Sequence, residues 1–243
     1  MSANTLEQSI QTTILALNKS FTKKLVIRIE QGSDNELIPI IRILGKDFVG
    51  IKVTHNDWNT LKGLFSIIQS YFDDYQDDET KNWNKLECQE FNIFTVYMFN
   101  SYSIKFEEVK RQSDKKDKFY QNIIMQKNSF EMLERLAPCI DMCVSDLFKK
   151  IPLINAVKDV LVNYISVKME NGHNAQILEP NDYELRSIID GLDHDDLNAI
   201  EKEVRSKGNS EYRECEIKYI INELRALHYK YIAEIVKMLF EHK

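Results

Sequence analysis

"FVGIKVTHNDWNTLKGL", residues 48–64, changes character halfway along. Up to Val53 it reads as a pleated strand, with Ile51 and Val53 on one side and Lys52 on the other. A polar turn containing Asn56 follows, of the kind that caps a helix. From Trp58 the period changes: Trp58, Leu61, Phe65, Ile68 and Phe72 recur at helical spacing. The stretch is therefore a strand that stops so that a helix can cross back over its sheet.

The same passage occurs a second time. "GKDFVGIKVTHNDWNTLKGLFSIIQSYF" from Gly45 lies without a gap over "DKFYQNIIMQKNSFEMLERLAPCIDMCV" from Asp117, an offset of 72 residues. Lys46 meets Lys118, Phe48 meets Tyr120, and Ile51 and Val53 meet Ile123 and Met125. Trp58 meets Phe130, while Asn56, Leu61, Leu64 and Ile68 meet Asn128, Leu133, Leu136 and Ile140. Polar and apolar positions agree together, which reads as a tandem duplication.

Upstream of each passage lie β-rich runs. In the first copy they are "KKLVIRIE" and "ELIPIIRIL", in the second "FNIFTVYMF" and "SYSIKFEEV". The second helix carries the stripe Phe130, Leu133, Ala137, Ile140, Val144 and Leu147, with a kink expected at Pro138. From Pro152 onward the pattern is helical. "LINAVKDVLVNYISVKME", "DYELRSIIDGL" and "DDLNAIEKEVRSKG" read as helices, the last of these stopped by Gly208. A final helix carries Ile217, Ile220, Leu224, Leu227, Tyr231, Ile235 and Met238. These readings divide the chain into a first unit (1–75), an acidic linker (76–90), a second unit (91–151) and an acidic helical extension (152–243).

Composition sets the broad class. Of 243 residues, 43% are hydrophobic and 29% charged, enough apolar material to order a core. No apolar run reaches the length of a membrane span, and Glu7 interrupts an N-terminus that has no basic start, so neither a span nor a signal peptide is expected. Cys88, Cys139, Cys143 and Cys215 form no CxxC pair, which suits a reducing compartment. Cys139 and Cys143, four apart, share a helix face and read as small apolar core residues rather than as metal ligands. Net charge is −6, but it is unevenly spread: +2 over 1–70, −5 over 71–90, +2 over 91–150 and −5 over 151–243. A basic face is compatible with an acidic total of this kind.

With "IIRIL" around Arg42, "GK" at Gly45–Lys46, "GIKV" from Gly50 and "WNTLK" from Trp58, the first unit resembles the PC4 (p15) transcriptional-coactivator domain. The resemblance spans roughly residues 20–75, and reaches 90–150 only through the repeat. It implies four curved strands and a helix per unit, and dimers whose two sheets form one groove for single-stranded DNA. Two units in one chain then imply an intramolecular pseudo-dimer. The fold class expected is α+β, two such units followed by an all-α region. The second copy departs from the family pattern: Asn122 stands for the glycine, Phe130 for the tryptophan and Glu134 for the lysine.

Single-strand binding without sequence preference needs cations along the phosphates and flat rings against the bases. The first unit offers Lys23, Lys24, Arg28, Arg42, Lys46 and Lys52, with Phe48 and Trp58 as aromatics. Strand alternation sets Arg28 opposite Ile27 and Ile29, so the cations are expected on the outward face of the sheet. Trp58 either completes the core stripe or also offers an edge to a base. The second unit offers Lys105, Lys110, Arg111, Lys115, Lys116 and Lys118 with Tyr120. Most of these lie in "KRQSDKKDK", which a solvated hairpin loop alone would also explain.

An enzyme is not expected, since the chain has no Walker loop, GxSxG elbow or HExxH. The cluster Asp190, Asp193, His194, Asp195, Asp196 and Glu201 reads as helix capping rather than a cation site. The function expected is sequence-nonspecific single-stranded DNA binding in replication, transcription or repair, with no cofactor, no metal and no membrane. DNA is preferred to RNA, and a nuclear to a cytoplasmic location. The alternative is a non-enzymatic interaction module whose repeat is scaffold, and whose C-terminal helices bind a protein partner or self-associate.

Overall fold

A computed structural model describes residues 10–32, 36–46, 49–74, 85–98, 100–109, 122–172, 182–227, 232–233 and 235–237. It contains two four-stranded antiparallel sheets, helices that follow them, and further C-terminal helices. The first sheet has the order β1 (Ile10–Ala16), β2 (Lys24–Gln31), β3 (Leu37–Leu44) and β4 (Gly50–Val53). The second has β5 (Leu86–Glu87), β6 (Phe91–Met98), β7 (Ser101–Glu108) and β8 (Asn122–Gln126). Each sheet thus holds the three strands read from the sequence plus an edge strand that was not. β5 lies inside the stretch taken as an acidic linker.

Alternation explains the core. Leu25, Ile27, Ile29, Ile41, Ile43, Ile51 and Val53 are buried in the first sheet, and Phe91, Ile93, Ile104, Phe106, Ile123 and Met125 in the second. β3 and β4 approach so closely that a Cβ on Gly50 would lie 1.9 Å from the Ile43 carbonyl oxygen, so only glycine fits there. Asn122 occupies the matching place in the second sheet, opposite Glu107.

The helix after the first sheet is two pieces, α1 (His55–Gly63) and α2 (Phe65–Asp74). Its cap is Thr54 rather than an asparagine. The Thr54 side chain accepts from the Asp57 N–H at 3.2 Å and donates to the Asp57 carboxylate at 2.9 Å. Asp57, 1% exposed, also accepts the backbone N–H of Gln89 at 2.7 Å, tying the turn between β5 and β6 onto α1. The helix after the second sheet, α3 (Lys127–Gly172), continues for 46 residues through both Pro138 and Pro152. The separate helix expected from Leu153 is therefore part of α3, and Pro138 does not end it. Burial of both apolar stripes carries the helix past each missing N–H. The C-terminal helices are α4 (Asp182–Asp190), α5 (His194–Ser206) and α6 (Glu214–Leu227). Gly208, at φ +95°, follows α5.

The chain divides into two compact units. One comprises Gln11–Ile29 and Ile38–Leu147, and the other Met1–Ile10, Glu30–Leu37 and Phe148–Lys243. The first holds most of both sheets, and β4 touches β6, β7 and β8 within it. In the second, Ile200, Val204, Ile217, Ile221 and Leu224 are buried, and the Arg225 guanidinium donates to the carbonyls of Ile189, Asp190 and Leu192 after α4. No helix among the described residues is long and apolar enough to cross a membrane.

Candidate nucleic-acid interface

Register decides which cations share a face. β3 and β4 pair Ile41 with Val53, Arg42 with Lys52 and Ile43 with Ile51. The isoleucines and Val53 are buried, so Arg42 and Lys52 lie together on the opposite face, both half-buried. Directly opposed residues in an antiparallel pair hold their Cβ atoms about 4.5–5.5 Å apart, and like charges there repel. The second sheet repeats the geometry. β7 and β8 pair Ile104 with Met125, Lys105 with Ile124 and Phe106 with Ile123. Because Ile51 and Ile123 are repeat equivalents, Lys105 corresponds to Arg42, and Ile124 to Lys52. Two cations on the first sheet match one on the second.

Lys105 is not alone on its face. Its ammonium is ion-paired with Glu107 and lies 6.0 Å from the ring centre of Phe94, its cross-strand neighbour on β6. Ser103, next along the same face of β7, is fully buried, and its Oγ has no hydrogen-bond partner among the described residues. Phe94 was not singled out from the sequence. The register of β6 against β7, with Asn100 at φ +54° between them, sets Phe94 against Lys105.

Two sequence expectations are corrected. Arg28 does not lie on an open face: it is 3% exposed, and Val26, two residues before it on the same side of β2, is buried as well. Alternation turns Arg28 away from Ile27 and Ile29, but burial of its own position leaves the guanidinium almost no outlet to solvent. Trp58 offers no edge to a base, because it is fully buried. Its indole N–H donates to Asp141 Oδ1 at 2.7 Å, and Lys62 Nζ donates to both oxygens of that carboxylate at 2.8 Å. Burial works to raise the Asp141 pKa, but the hydrogen bonds from Lys62 and Trp58 outweigh it and hold the carboxyl below its ordinary value.

Trp58 belongs instead to an aromatic cluster. Phe65 stands edge-on to Trp58 at 5.9 Å and to Phe130 at 5.5 Å, and Phe72 lies 5.9 Å from Phe130. Near the start of α1, Trp58 meets Asp141; near the end of α2, Asp73 meets Lys127. The two helices therefore run antiparallel, with the repeat equivalents Trp58 and Phe130 in one cluster.

Of the remaining cations, Lys46 is exposed and Lys24 half-buried. Burial lowers the pKa of Lys23. Phe48, Lys110, Arg111, Lys115, Lys116, Lys118 and Tyr120 lie outside the described residues. Cys139 is exposed and Cys143 half-buried, so neither is the core residue expected. The buried thiol is Cys88, whose pKa is pushed up to about 12 by burial and by the Asp57 carboxylate. Of the acids near His194, Asp193 and Asp196 make a reciprocal capping box at the start of α5, where Asp196 also accepts from Tyr164 and Lys168, while Asp190 and Glu201 pair with Arg186 and Arg205. Among the described residues, no group of three or more His, Cys, Asp or Glu side chains is placed to hold a metal. No protein-family model matches the chain, and no curated protein sequence matches it.

Proposed function

We propose that the protein binds single-stranded nucleic acid, DNA in preference to RNA, across the sheet faces that carry Arg42, Lys52 and Lys105. The observation that carries this reading is the cross-strand placement of Arg42 against Lys52, on the face opposite Ile41, Ile43, Ile51 and Val53, where both remain half-exposed. A phosphate lying over the pair would meet two cations at directly opposed cross-strand positions. The corresponding position of Lys105, and the antiparallel helices that bring Trp58 and Phe130 into one cluster, support a PC4-like intramolecular pseudo-dimer. In that arrangement Arg28 and Trp58 serve the fold rather than the ligand. A role in replication, transcription or repair, and a nuclear location, follow from the resemblance.

The second reading, a scaffold whose partner is a protein, is favoured by one fact: Arg28 and Trp58, which the resemblance would give to nucleic acid, are both withdrawn from solvent. Fluorescence anisotropy of labelled oligo-dT against duplex of equal length separates the two. Single-strand binding at low salt that exceeds duplex binding is expected; binding to neither oligonucleotide would leave the scaffold reading.

A further inference from the structure

The geometry points to the Phe94–Lys105 pair as a nucleotide subsite on the second sheet, with the Phe94 ring stacking a base and the Lys105 ammonium taking the adjoining phosphate. This inference rests on the single-strand reading above and supplies what that reading lost with Trp58, an aromatic surface for the bases. Phe94 and Lys105 are directly opposed on β6 and β7, on the face turned away from buried Ile93, Ile104 and Phe106. Both side chains are half-buried, which steadies them while leaving part of each open. An ammonium 6.0 Å from the ring centre gives one site the two chemistries that single strands require, a π-face and a positive charge.

The neighbouring rows match this use. Val96 and Ile124 border the pair with apolar surface, as a stacked base needs. Ser103 Oγ, on the same face, is buried without a hydrogen-bond partner among the described residues. Glu107 holds the Lys105 ammonium in the absence of ligand, so a phosphate must displace one carboxylate to bind.

The test uses the full chain with two fluorescent oligonucleotides of equal length, oligo-dT and its fully abasic counterpart. Wild-type protein is expected to prefer oligo-dT. Phe94→Leu, which keeps apolar bulk, should weaken oligo-dT binding on the order of tenfold and leave abasic binding unchanged, so that the preference disappears. Phe94→Trp should preserve the preference, and its indole emission should quench when oligo-dT is added. If Phe94→Leu keeps the wild-type preference, or loses both ligands equally, Phe94 does not stack a base, although the single-strand reading survives. If wild-type protein binds neither oligonucleotide at low salt, that reading falls and the subsite with it.

Discussion

Replacing Asp141 tests whether Trp58 is a structural residue held by a single acceptor. In Asp141→Ala the fully buried indole N–H loses its acceptor at 2.7 Å. An unsatisfied buried donor costs about 1–3 kcal/mol. The Lys62 ion pair, with side chains 29% and 44% exposed, adds at most about 1 kcal/mol after screening. The expected loss is therefore about 1–4 kcal/mol. Trp58→Phe copies the residue that the second repeat carries at Phe130 and removes the donor. Against that background Asp141→Ala should lose much less, so the two changes together should fall short of additivity by about 1–2 kcal/mol. Urea unfolding followed by far-ultraviolet circular dichroism measures all four species without relying on tryptophan emission. Additivity within about 0.3 kcal/mol would refute the reasoning, because the indole would then gain nothing from the carboxylate.

Further outcomes follow from neighbouring contacts. Gly50→Ala should destabilise by about 2–3 kcal/mol in the same assay, since its Cβ would overlap the Ile43 carbonyl and force β3 from β4. Glu107→Gln should tighten oligonucleotide binding by releasing Lys105, and should steepen its salt dependence by up to about 0.7. Asp141 and Asp196 have folded pKa values held below the ordinary carboxylate range; for Asp196, burial opposes this but the Lys168 and Tyr164 hydrogen bonds outweigh it. Depressed carboxylates contribute stability above the unfolded pKa, near 4, and lose it as pH falls through the folded value. The urea midpoint should therefore drop between pH 5 and pH 2.5, and drop less in Asp196→Ala. Arg28→Ala should lower stability and leave the salt slope of binding unchanged, as suits a buried arginine.

Strand and helix types were legible because alternation and the 3.6-residue period are written directly in the apolar positions. The six residues of the second stripe, Phe130 to Leu147, are all buried. The presence of two sheets, each followed by a helix, was legible for the same reason, since the sequence repeats a pattern rather than a composition. What escaped depends on tertiary context. β5 is two residues long and has no periodicity to show. Continuity through Pro152 depends on apolar stripes that flank a residue usually ending a helix. Arg28 followed its alternation correctly onto the second face, but alternation says nothing about whether that face is covered. Trp58 had two readings, and only an acceptor 83 residues away in sequence decided between them. Phe94 was hidden by the opposite problem, a half-apolar strand whose useful face is set by its hairpin partner.

The most direct test of nucleic-acid binding by these sheet faces is the slope of log affinity for oligo-dT against log salt. It should be measured for wild-type protein and for the Arg42→Ala/Lys52→Ala/Lys105→Ala variant. Each phosphate neutralised contributes about 0.7 to that slope for single strands. The predicted result is a tight, steep wild-type dependence that becomes shallower by about 2 in the variant. A wild-type slope that the variant retains unchanged would contradict it, because the three cations on these faces would then touch no phosphate.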